Sequence, residues 1–475
     1  MNNNVLEHFK TISKIPRVSY HEQEISDMIL KFAQNLKLES TQDEHGNVFV
    51  RKPATKGYEN APVVMLQAHL DMVGEKNNDS DHDFEDDPIE LIFEDNILRA
   101  NNTTLGADNG VGVVYMMAIM EDKTLEHPEL EFVFTVLEEV GLIGAEKFDT
   151  SHMKATLCVG LDSSGENEVT VSSSGGVRTQ MVKKLVFEDK DTDTIIIDIS
   201  GLLGGHSGGD IHLERANAIR LAGIILKRSI EEHGNVRAVS INGGLKVNAI
   251  PREATLELAV EDTEAYMKWF KSIEDELKYQ FETSDPNLTF TLKTSHTHKV
   301  VDMKNTMGMA NALFMLPLGV QARSMAIKDL VIASANIGIA QTTESEFIIT
   351  SSQRATQTFV LDNMLYRIKL ISKNTGYDVS FSAKYPGWNY EKDSPFRNRL
   401  KDVYKSLRNE EMLEVATHGG LELGIWKGKM PHLDIVGFGP KMYDIHTPNE
   451  HLDIASFERT YEVLVELLKS LKEDL

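Results

Sequence analysis

The chain has 475 residues, of which 73 are acidic, 49 are basic and one is cysteine, so its formal net charge is -24. This acidic balance disfavours nucleic acid and anionic membranes as partners, because both are bound through clustered Lys and Arg. The single cysteine, Cys158, excludes an intramolecular disulfide, a four-cysteine zinc site and an iron–sulfur cluster. The first residues show no basic segment followed by an apolar run, so we expect no secretory signal and a cytoplasmic location.

The first third of the chain alternates between helical and strand patterns. Apolar residues recur at helical spacing over residues 22–36, and residues 111–122 form an apolar helical stretch. Apolar runs of strand length lie at residues 61–68, 130–137 and 155–161. This alternation predicts an α/β domain with a mostly parallel sheet.

The pattern changes near residue 175 and changes back near residue 390. Between these points we predict strands at 194–200, 255–260, 287–292, 346–351 and 378–384, and helices at 211–233, 263–283 and 352–374. A helix at 395–408, a strand at 433–437 and a helix at 454–471 follow. We therefore predict a catalytic domain in two parts, residues 1–175 and 390–475, with an α+β domain of residues 176–389 inserted between them.

Five separate segments carry side chains that suit a divalent metal. They are HLDMV (His69, Asp71), TTLGADNGVG (Asp108), LEEVGLIG (Glu138, Glu139), GLDSSG (Asp162) and DIHTPNE (His446). Each follows a strand-like run or lies in a glycine-bearing turn, where the carboxyl edge of an α/β sheet could bring distant positions together. Mixed imidazole and carboxylate sets suit Zn²⁺, Mn²⁺ or Co²⁺ better than Ca²⁺ or Mg²⁺. Taken singly, each residue could also be a turn residue, a helix cap or a strand-end charge.

In this order and at these separations, the five segments resemble the M20 clan of two-metal aminopeptidases and deacylases, and within it the aminoacyl-histidine dipeptidase branch. The resemblance covers essentially the whole chain. It implies an α/β fold with a two-metal exopeptidase-like catalytic domain and an inserted α+β lid that also forms a dimer interface. It also implies two divalent ions per subunit, typically zinc, with manganese or cobalt as alternatives.

The resemblance implies a ligand role for five residues. Asp108 would bridge both ions, which suits an anionic side chain between two dications. His69 and Asp162 would complete one metal site. Glu139 and His446 would complete the other.

Two more residues of the same segments would act without binding metal. Glu138, adjacent to the ligand Glu139, would be the general base that takes the proton of the attacking water and delivers it to the leaving amine. Asp71, two residues from His69, would accept the other N–H of that imidazole and fix its tautomer.

The segment GHSGG at residues 205–209 has two interpretations. It matches the G-x-S-x-G nucleophile elbow of serine hydrolases, with Ser207 as nucleophile, although the spacer at residues 201–204 is long for a tight strand-to-helix turn. The resemblance implies instead that His206 stabilises the oxyanion and that, in dimeric relatives, it comes from the partner subunit.

A dipeptidase must also bind the free carboxylate of its substrate, for which Arg is the natural bidentate partner. Arg354 is the leading candidate, and we expect it at a strand-to-helix junction where helix N-terminal amides add to the site. Asn248 and Gly420 resemble substrate contacts of the family. The role of His418, beside the glycines, stays open.

The leading interpretation is therefore a cytoplasmic, dimeric metallo-dipeptidase that hydrolyses unblocked dipeptides, including those with C-terminal histidine. A related deacylase or tripeptide aminopeptidase is the nearest alternative, and the serine hydrolase is another. A homologue without turnover is disfavoured, because Glu138 and all five predicted ligands are intact.

Overall fold

The computed structural model describes residues 4–328 and 330–472. The helices are α1 (Asn4–Ile12), α2 (Gln23–Asn35), α3 (Ala107–Glu121), α4 (Ile143–Lys147), α5 (Ala218–His233), α6 (Thr263–Gln280), α7 (Met303–Met315), α8 (Thr358–Thr375), α9 (Pro395–Arg408), α10 (Glu422–Lys429) and α11 (Ile454–Ser470). A 3-10 helix lies at Ile211–Leu213. None of these described helices combines the length and the apolar composition needed to cross a membrane.

The strands are β1 (Glu39–Gln42), β2 (Val48–Lys52), β3 (Val64–His69), β4 (Leu91–Glu94), β5 (Ile97–Ala100), β6 (Leu130–Thr135), β7 (Leu157–Gly160), β8 (Glu168–Ser173), β9 (Gly175–Lys184), β10 (Phe187–Ser200), β11 (Gly205–His206), β12 (Arg237–Gly243), β13 (Ala249–Ile250), β14 (Ala254–Ala259), β15 (Thr289–Val301), β16 (Gly319–Arg323), β17 (Val331–Thr342), β18 (Glu346–Ala355), β19 (Asp378–Tyr385), β20 (Leu413–Thr417), β21 (Asp434–Gly437), β22 (Met442–Tyr443) and β23 (His451–Asp453).

The described residues form two compact units. Unit 1 comprises those of Met1–Ser173, Trp388–Ala416 and Leu421–Leu475, and unit 2 comprises those of Ser174–Gly387 and Thr417–Gly420. The predicted boundaries did not include the short segment 417–420 in the inserted domain. Hydrogen bonds hold this segment in unit 2, because Ser174 donates its backbone N–H to the carbonyl of Gly419 (3.0 Å) and its hydroxyl to the carbonyl of His418 (2.7 Å).

Unit 1 contains a sheet with the strand order β1-β2-β6-β3-β7-β21-β8-β20. Strands β6, β3, β7 and β21 run parallel at its centre, whereas β1, β2 and β8 pair antiparallel. The sheet that was predicted to be mostly parallel is therefore parallel at its centre and antiparallel towards its edges. Strands β3, β6 and β7 are buried at every residue, as strands covered on both faces should be.

Unit 2 contains a second sheet with the order β15-β10-β14-β12-β17-β18-β9-β19, and β16 pairs with β17. The strand pairs in this sheet are antiparallel. Helices α5, α6 and α7 contribute Leu221, Phe270 and Leu313 to one apolar core, where they join Ile197 and Leu256 of the sheet. An antiparallel sheet packed against helices is the α+β arrangement.

Two predicted helices begin later than expected. The helix predicted from residue 211 starts at Ala218, because the side chain of Asn217 accepts the N–H of Arg220 (3.0 Å) and caps the helix there. The helix predicted from residue 352 starts at Thr358, because β18 continues to Ala355.

Candidate metal centre

Three neighbouring parallel strands of unit 1 deliver side chains to one edge of the sheet. His69 is the last residue of β3, and Thr135, its register partner, is the last residue of β6. The pair Glu138 and Glu139 follows β6, and Asp162 follows β7, which pairs with β3 on its other side. Because parallel strands end at the same edge, residues that are far apart in the sequence meet there.

Asp108, at the start of α3, presents its two carboxylate oxygens to two different imidazoles. Its Oδ1 lies 3.0 Å from Nε2 of His69, and its Oδ2 lies 3.1 Å from Nε2 of His446. Nε2 of His446 also lies 3.0 Å from Oε1 of Glu139, and Nε2 of His69 lies 4.0 Å from Oδ1 of Asp162. The structure thus contains two groups of close ligand atoms, His69–Asp108–Asp162 and Asp108–Glu139–His446, which share Asp108.

The electrostatics of these groups fit bound cations. Burial and the charge of Asp108 raise the pKa of Asp162 well above its ordinary value. Hydrogen bonds to Asp108 and Glu139 raise the pKa of His446 to about 11. Burial opposes a charge on His69, yet the hydrogen bonds to Asp108 and Asp71, together with the charge of Glu138, outweigh burial and raise the pKa of that imidazole well above its ordinary value. Buried carboxylates that crowd together are stabilised by metal ions, and two imidazoles with three carboxylates suit zinc, manganese or cobalt.

Glu138 lies beside both groups. Its carboxylate forms a further set of close ligand atoms with His69 and Glu139. Burial, with the charge of Asp162 adding to it, raises the pKa of Glu138 well above its ordinary value. A carboxylate with a raised pKa takes up a proton more readily, which is the property a general base requires.

Asp71 anchors the backbone that carries this glutamate pair. Its carboxylate accepts the N–H of Glu138 (3.0 Å), the N–H of Glu139 (3.2 Å) and the hydroxyl of Ser19 (2.9 Å). Nδ1 of His69 lies 3.5 Å from Oδ1 of Asp71 and 3.0 Å from its backbone oxygen. The expected link between Asp71 and His69 therefore runs chiefly through the backbone carbonyl, and the Asp71 carboxylate positions the two glutamates.

Two buried charged residues that the sequence analysis missed hold the start of α3. The carboxylate of Glu450 accepts four backbone N–H groups, those of Leu105 (2.7 Å), Gly106 (3.0 Å), Ala107 (2.8 Å) and Asp108 (3.3 Å). Arg17 donates to the backbone oxygens of Leu70 (2.9 Å), Asp71 (3.3 Å) and Gly106. The closeness of Glu450 to His446 in the sequence was the only signal for either residue.

A cavity of about 610 Å³ opens beside Glu139 in unit 1. Its lining includes Ser19, Met72 and Phe84. This volume lies in the range of sites that hold small molecules. Of the residues in the candidate metal site, Glu139 is the one that this lining includes.

In unit 2, the loop at residues 205–209 holds the ring of His206 in one tautomer. Its Nδ1 accepts the backbone N–H groups of Gly209 (3.0 Å) and Gly208 (3.3 Å), so the hydrogen of the neutral ring is on Nε2. Burial and the charge of Arg354 lower the pKa of His206, which favours the neutral ring. A Cβ at Gly208 would lie 3.1 Å from the ring, so glycine suits this close approach. His206 therefore carries an oriented Nε2–H donor.

Ser207 lacks the surroundings of a nucleophile. Its hydroxyl is buried and has no hydrogen-bond partner among the described residues. The preceding residues form the short strand β11, and the next α-helix, α5, begins only at Ala218. The described structure therefore provides neither the base nor the strand-to-helix elbow that the serine hydrolase alternative requires.

The predicted substrate contacts lie together in unit 2. Asn248, Arg354 and Tyr385 line a cavity of about 370 Å³ whose other cations are Arg178 and Lys246. The lining contains no carboxylate among the described residues. This cavity therefore suits a small anionic group.

The guanidinium of Arg354 is held at the edge of this cavity. It donates to the hydroxyl of Tyr385 (3.1 Å) and contacts the carbonyl of His418 (3.5 Å), while its Nε is buried without a partner among the described residues. A Cβ at Gly420 would lie 2.6 Å from the Tyr385 ring, so this glycine allows the ring to approach. The prediction that Arg354 lies at a strand-to-helix junction beside helix N-terminal amides was wrong. Arg354 lies inside β18, and the next helix begins at Thr358.

His418, whose role the sequence left open, is buried, and its backbone carbonyl lies next to the guanidinium of Arg354. Its Nε2 lies 2.6 Å from the hydroxyl of Ser334. Burial and the charge of Arg354 lower its pKa to about 4. His418 is therefore neutral at physiological pH, and its backbone carbonyl faces Arg354.

Known proteins are similar to this chain over nearly its whole length. The chain is 33% identical over 468 residues to the cytosol non-specific dipeptidase of Escherichia coli K12, covering 98% of this chain and 96% of that protein. The solved aminoacylhistidine dipeptidase of Vibrio alginolyticus is 31% identical, covers 99% of this chain with 97% of its own, and superimposes with a TM-score of 0.92. Aminopeptidase PepT of Bacillus cereus, at 16% identity and a TM-score of 0.57 over 99% of this chain and 98% of its own, shares the fold.

The family follows from the sequence match and from the site. A model of peptidase family M20/M25/M40 matches residues 65–470, a range that contains His69, Asp108, Glu139, Asp162 and His446. With a mixed α/β fold and peptidase relatives over nearly its full length, the chain belongs to peptidase family M20/M25/M40.

Proposed function

We propose that this chain is a metal-dependent dipeptidase that hydrolyses unblocked dipeptides, including those with C-terminal histidine. The observation that carries the proposal is the pair of ligand groups that share Asp108 and lie beside Glu138. The two relatives named as dipeptidases, each more than 30% identical over nearly the whole chain, support the substrate class.

We assign His69, Asp108 and Asp162 to one divalent ion, and Asp108, Glu139 and His446 to the other, with zinc as the proposed metal and manganese or cobalt as alternatives. When bound, two such ions lower the pKa of water and polarise the scissile carbonyl. Asp108 supports this assignment because each of its oxygens already faces a different imidazole.

Glu138 is the proposed general base. It takes a proton from the attacking water and returns it to the amine that leaves when the peptide bond breaks. Its raised pKa suits both transfers, since the group must hold the proton between them. Asp71 fixes the backbone of the glutamate pair and so positions Glu138.

His206 is the proposed donor to the oxyanion of the tetrahedral intermediate. Its Nδ1 is occupied by the amides of Gly208 and Gly209, so Nε2–H is the group that remains to donate. Following the family resemblance, we propose that this imidazole acts across the subunits of a homodimer.

Arg354, with Asn248 and the Gly420 turn, is the proposed site for the free carboxylate of the substrate. The cationic cavity and the unpartnered Nε of Arg354 support this assignment. The neutral His418 keeps its carbonyl beside Arg354 without adding a second charge that would repel the guanidinium.

Exposed apolar side chains in unit 2 support the dimer. Phe359, Tyr366 and Leu370 of α8 are 75%, 65% and 59% exposed, and their spacing places them on one helix face. Phe314 of α7 is also exposed. Large exposed apolar side chains that cluster mark interaction surfaces.

The name of the cytosolic E. coli relative supports our proposal of a cytoplasmic location.

A substrate panel tests the proposal against its nearest alternatives. The purified chain with Zn²⁺, Mn²⁺ or Co²⁺ is assayed on a free dipeptide, on an N-acetyl amino acid and on a tripeptide. We expect the free dipeptide to be cleaved with the highest kcat/KM. Preference for the N-acetyl amino acid would identify a deacylase, and preference for the tripeptide would identify a tripeptide aminopeptidase.

A second assay tests the serine hydrolase alternative. We expect a chelator to abolish activity and a fluorophosphonate to leave it intact. The reverse result would replace the metal mechanism with one based on Ser207.

A further inference from the structure

One group of potential metal ligands in the described residues lies outside the cluster around Asp108. It consists of Asp191, His296 and His298, whose ligand atoms are close to one another. These residues lie in unit 2 on the paired strands β10 and β15. We propose that they form a surface site for a divalent transition metal of the zinc, nickel or copper class.

The backbone places these side chains on one face. His296 and His298 are two residues apart on β15, and side chains two apart on a strand share a face. Asp193 pairs with His296, and a bulge in β10 then places Asp191 opposite His298. Strand β10 pairs with β14 only over residues 194–199, so this part of β10 and β15 extends beyond the neighbouring strand.

Two imidazoles converge on one carboxylate oxygen. Nε2 of His296 lies 2.8 Å from Oδ1 of Asp191, and Nδ1 of His298 lies 2.6 Å from the same atom. Metal bonds of about 2 Å separate tetrahedral ligand atoms by about 3.3 Å, so a small outward rotation of exposed side chains admits an ion. The side chains of Asp191 and His298 are 74% and 82% exposed, which leaves room for water as a further ligand.

Asp193 supplies the outer contact that metal-bound histidines usually have. Its Oδ1 lies 2.9 Å from Nδ1 of His296 and accepts the hydrogen of that nitrogen. When a metal displaces the proton of Nε2, the lone pair is on the atom that faces Asp191, while Nδ1 keeps its hydrogen bond to Asp193. One aspartate thus orients the imidazole while the other lies at the coordination point. Two imidazoles with a single carboxylate ligand select zinc, nickel or copper over calcium or magnesium.

Equilibrium dialysis with Zn²⁺ tests the site on the full-length chain, purified without a polyhistidine tag and treated with a chelator. We expect the wild-type chain to bind one more zinc equivalent than the double variant His296→Ala/His298→Ala. Thr297→Ala is the matched control, because Thr297 lies between the histidines and points to the opposite face. Equal stoichiometry in the wild-type chain and the double variant would overturn the proposal.

A second variant separates a built site from casual binding by two surface imidazoles. Asp193→Ala removes the outer contact and should weaken this zinc equivalent about 10-fold to 100-fold. Unchanged affinity would contradict the proposed site. Measuring bound zinc requires no assay of activity, so this test does not depend on the proposed function. We also expect the double variant to keep the dipeptidase activity of the wild-type chain, which separates loss of this site from loss of the proposed active site.

Discussion

At the scale of single residues, the proposed chemistry depends on which carboxylate holds a metal and which carries a proton. Glu138 and Glu139 are adjacent, yet their surroundings differ. Oε1 of Glu139 lies 3.0 Å from Nε2 of His446, one of the imidazoles that Asp108 contacts. Burial and the charge of Asp162 raise the pKa of Glu138. These differences support our proposal that Glu138 transfers the proton and Glu139 binds metal.

Replacing Glu138 with Gln tests this division. The substitution removes the proton acceptor and keeps the size of the side chain, so we expect turnover to fall about 10²-fold to 10⁴-fold. Metal content, measured by elemental analysis after dialysis, should stay at the wild-type level. Glu146→Gln on the exposed side of α4 is the control and should change neither quantity. Wild-type turnover in Glu138→Gln with unchanged metal content would contradict the assignment of the base.

His418 gives a residue-scale prediction for pH. An exposed histidine has a pKa of about 6.5, and the pKa of about 4 in the folded chain means that the unfolded state binds more protons between these values. The contribution of neutral His418 to the free energy of unfolding is therefore fully present above about pH 6.5 and is lost as the pH falls towards 4. About 2 kcal/mol of this free energy is lost by pH 5.

Urea unfolding at pH 7 and pH 5 measures this loss. The variant His418→Gln should lose less free energy of unfolding than the wild-type chain between the two pH values, by about 2 kcal/mol. An identical pH dependence in both proteins would show that His418 is not buried in its neutral form.

At the scale of elements, the sequence predicted strands and helices where one pattern dominated. Helix α9 matches its predicted bounds, since its apolar spacing and the Ser394 cap are both local signals. The start of α5 was predicted too early, because the structure was needed to show that the side chain of Asn217 caps the helix through a hydrogen bond. Strand β17 was missed, because its run of small residues lacks the alternation of an amphipathic strand.

The site shows the same limit. The five predicted ligands and Glu138 lie in motifs, so the sequence could indicate them. Arg17 and Glu450 act through backbone atoms of distant residues, and only the fold brings these partners together. Because Glu450 accepts four N–H groups at the start of α3, the position of Asp108 depends on a residue far away in the sequence.

Replacing Glu450 with Gln tests this dependence. The neutral amide accepts fewer N–H groups, so the free energy of unfolding should fall by about 2 kcal/mol and metal should dissociate more readily. Asp453→Ala is the matched control, because it removes the cap of α11, whose Oδ1 accepts the N–H of Ser456 (2.7 Å). The control should lower stability by about 1 kcal/mol and leave metal affinity unchanged. Wild-type metal affinity in Glu450→Gln would contradict the positioning role.

At the scale of the whole molecule, the candidate site residues are divided between two compact units. Unit 1 contains the two candidate ligand groups and Glu138, whereas unit 2 contains His206 and Arg354. The chain passes from unit 1 to unit 2 and back near the two changes of pattern in the sequence. No change of pattern indicates that residues 417–420 also belong to unit 2. Their place in that unit depends on hydrogen bonds from Ser174 and has no local signal.

A mixing experiment tests whether His206 acts across subunits. Chains carrying His206→Ala and chains carrying Glu138→Gln are each expected to be nearly inactive. When they are co-expressed in equal amounts, half of the dimers are mixed, and each mixed dimer contains one complete site if His206 acts in trans. We expect about a quarter of wild-type activity. No recovery in dimers shown to be mixed would place His206 in its own subunit's site.

Dependence of activity on the shared carboxylate of Asp108 is tested by returning metal to the chelated chain. We expect dipeptide hydrolysis to disappear on chelation and to return as Zn²⁺, Mn²⁺ or Co²⁺ is added. In Asp108→Asn it should not return at any metal concentration, because that variant loses the carboxylate that both ligand groups share. Full activity in the chelated chain, or recovery of Asp108→Asn to the wild-type level, would show that the two ligand groups do not hold catalytic metal.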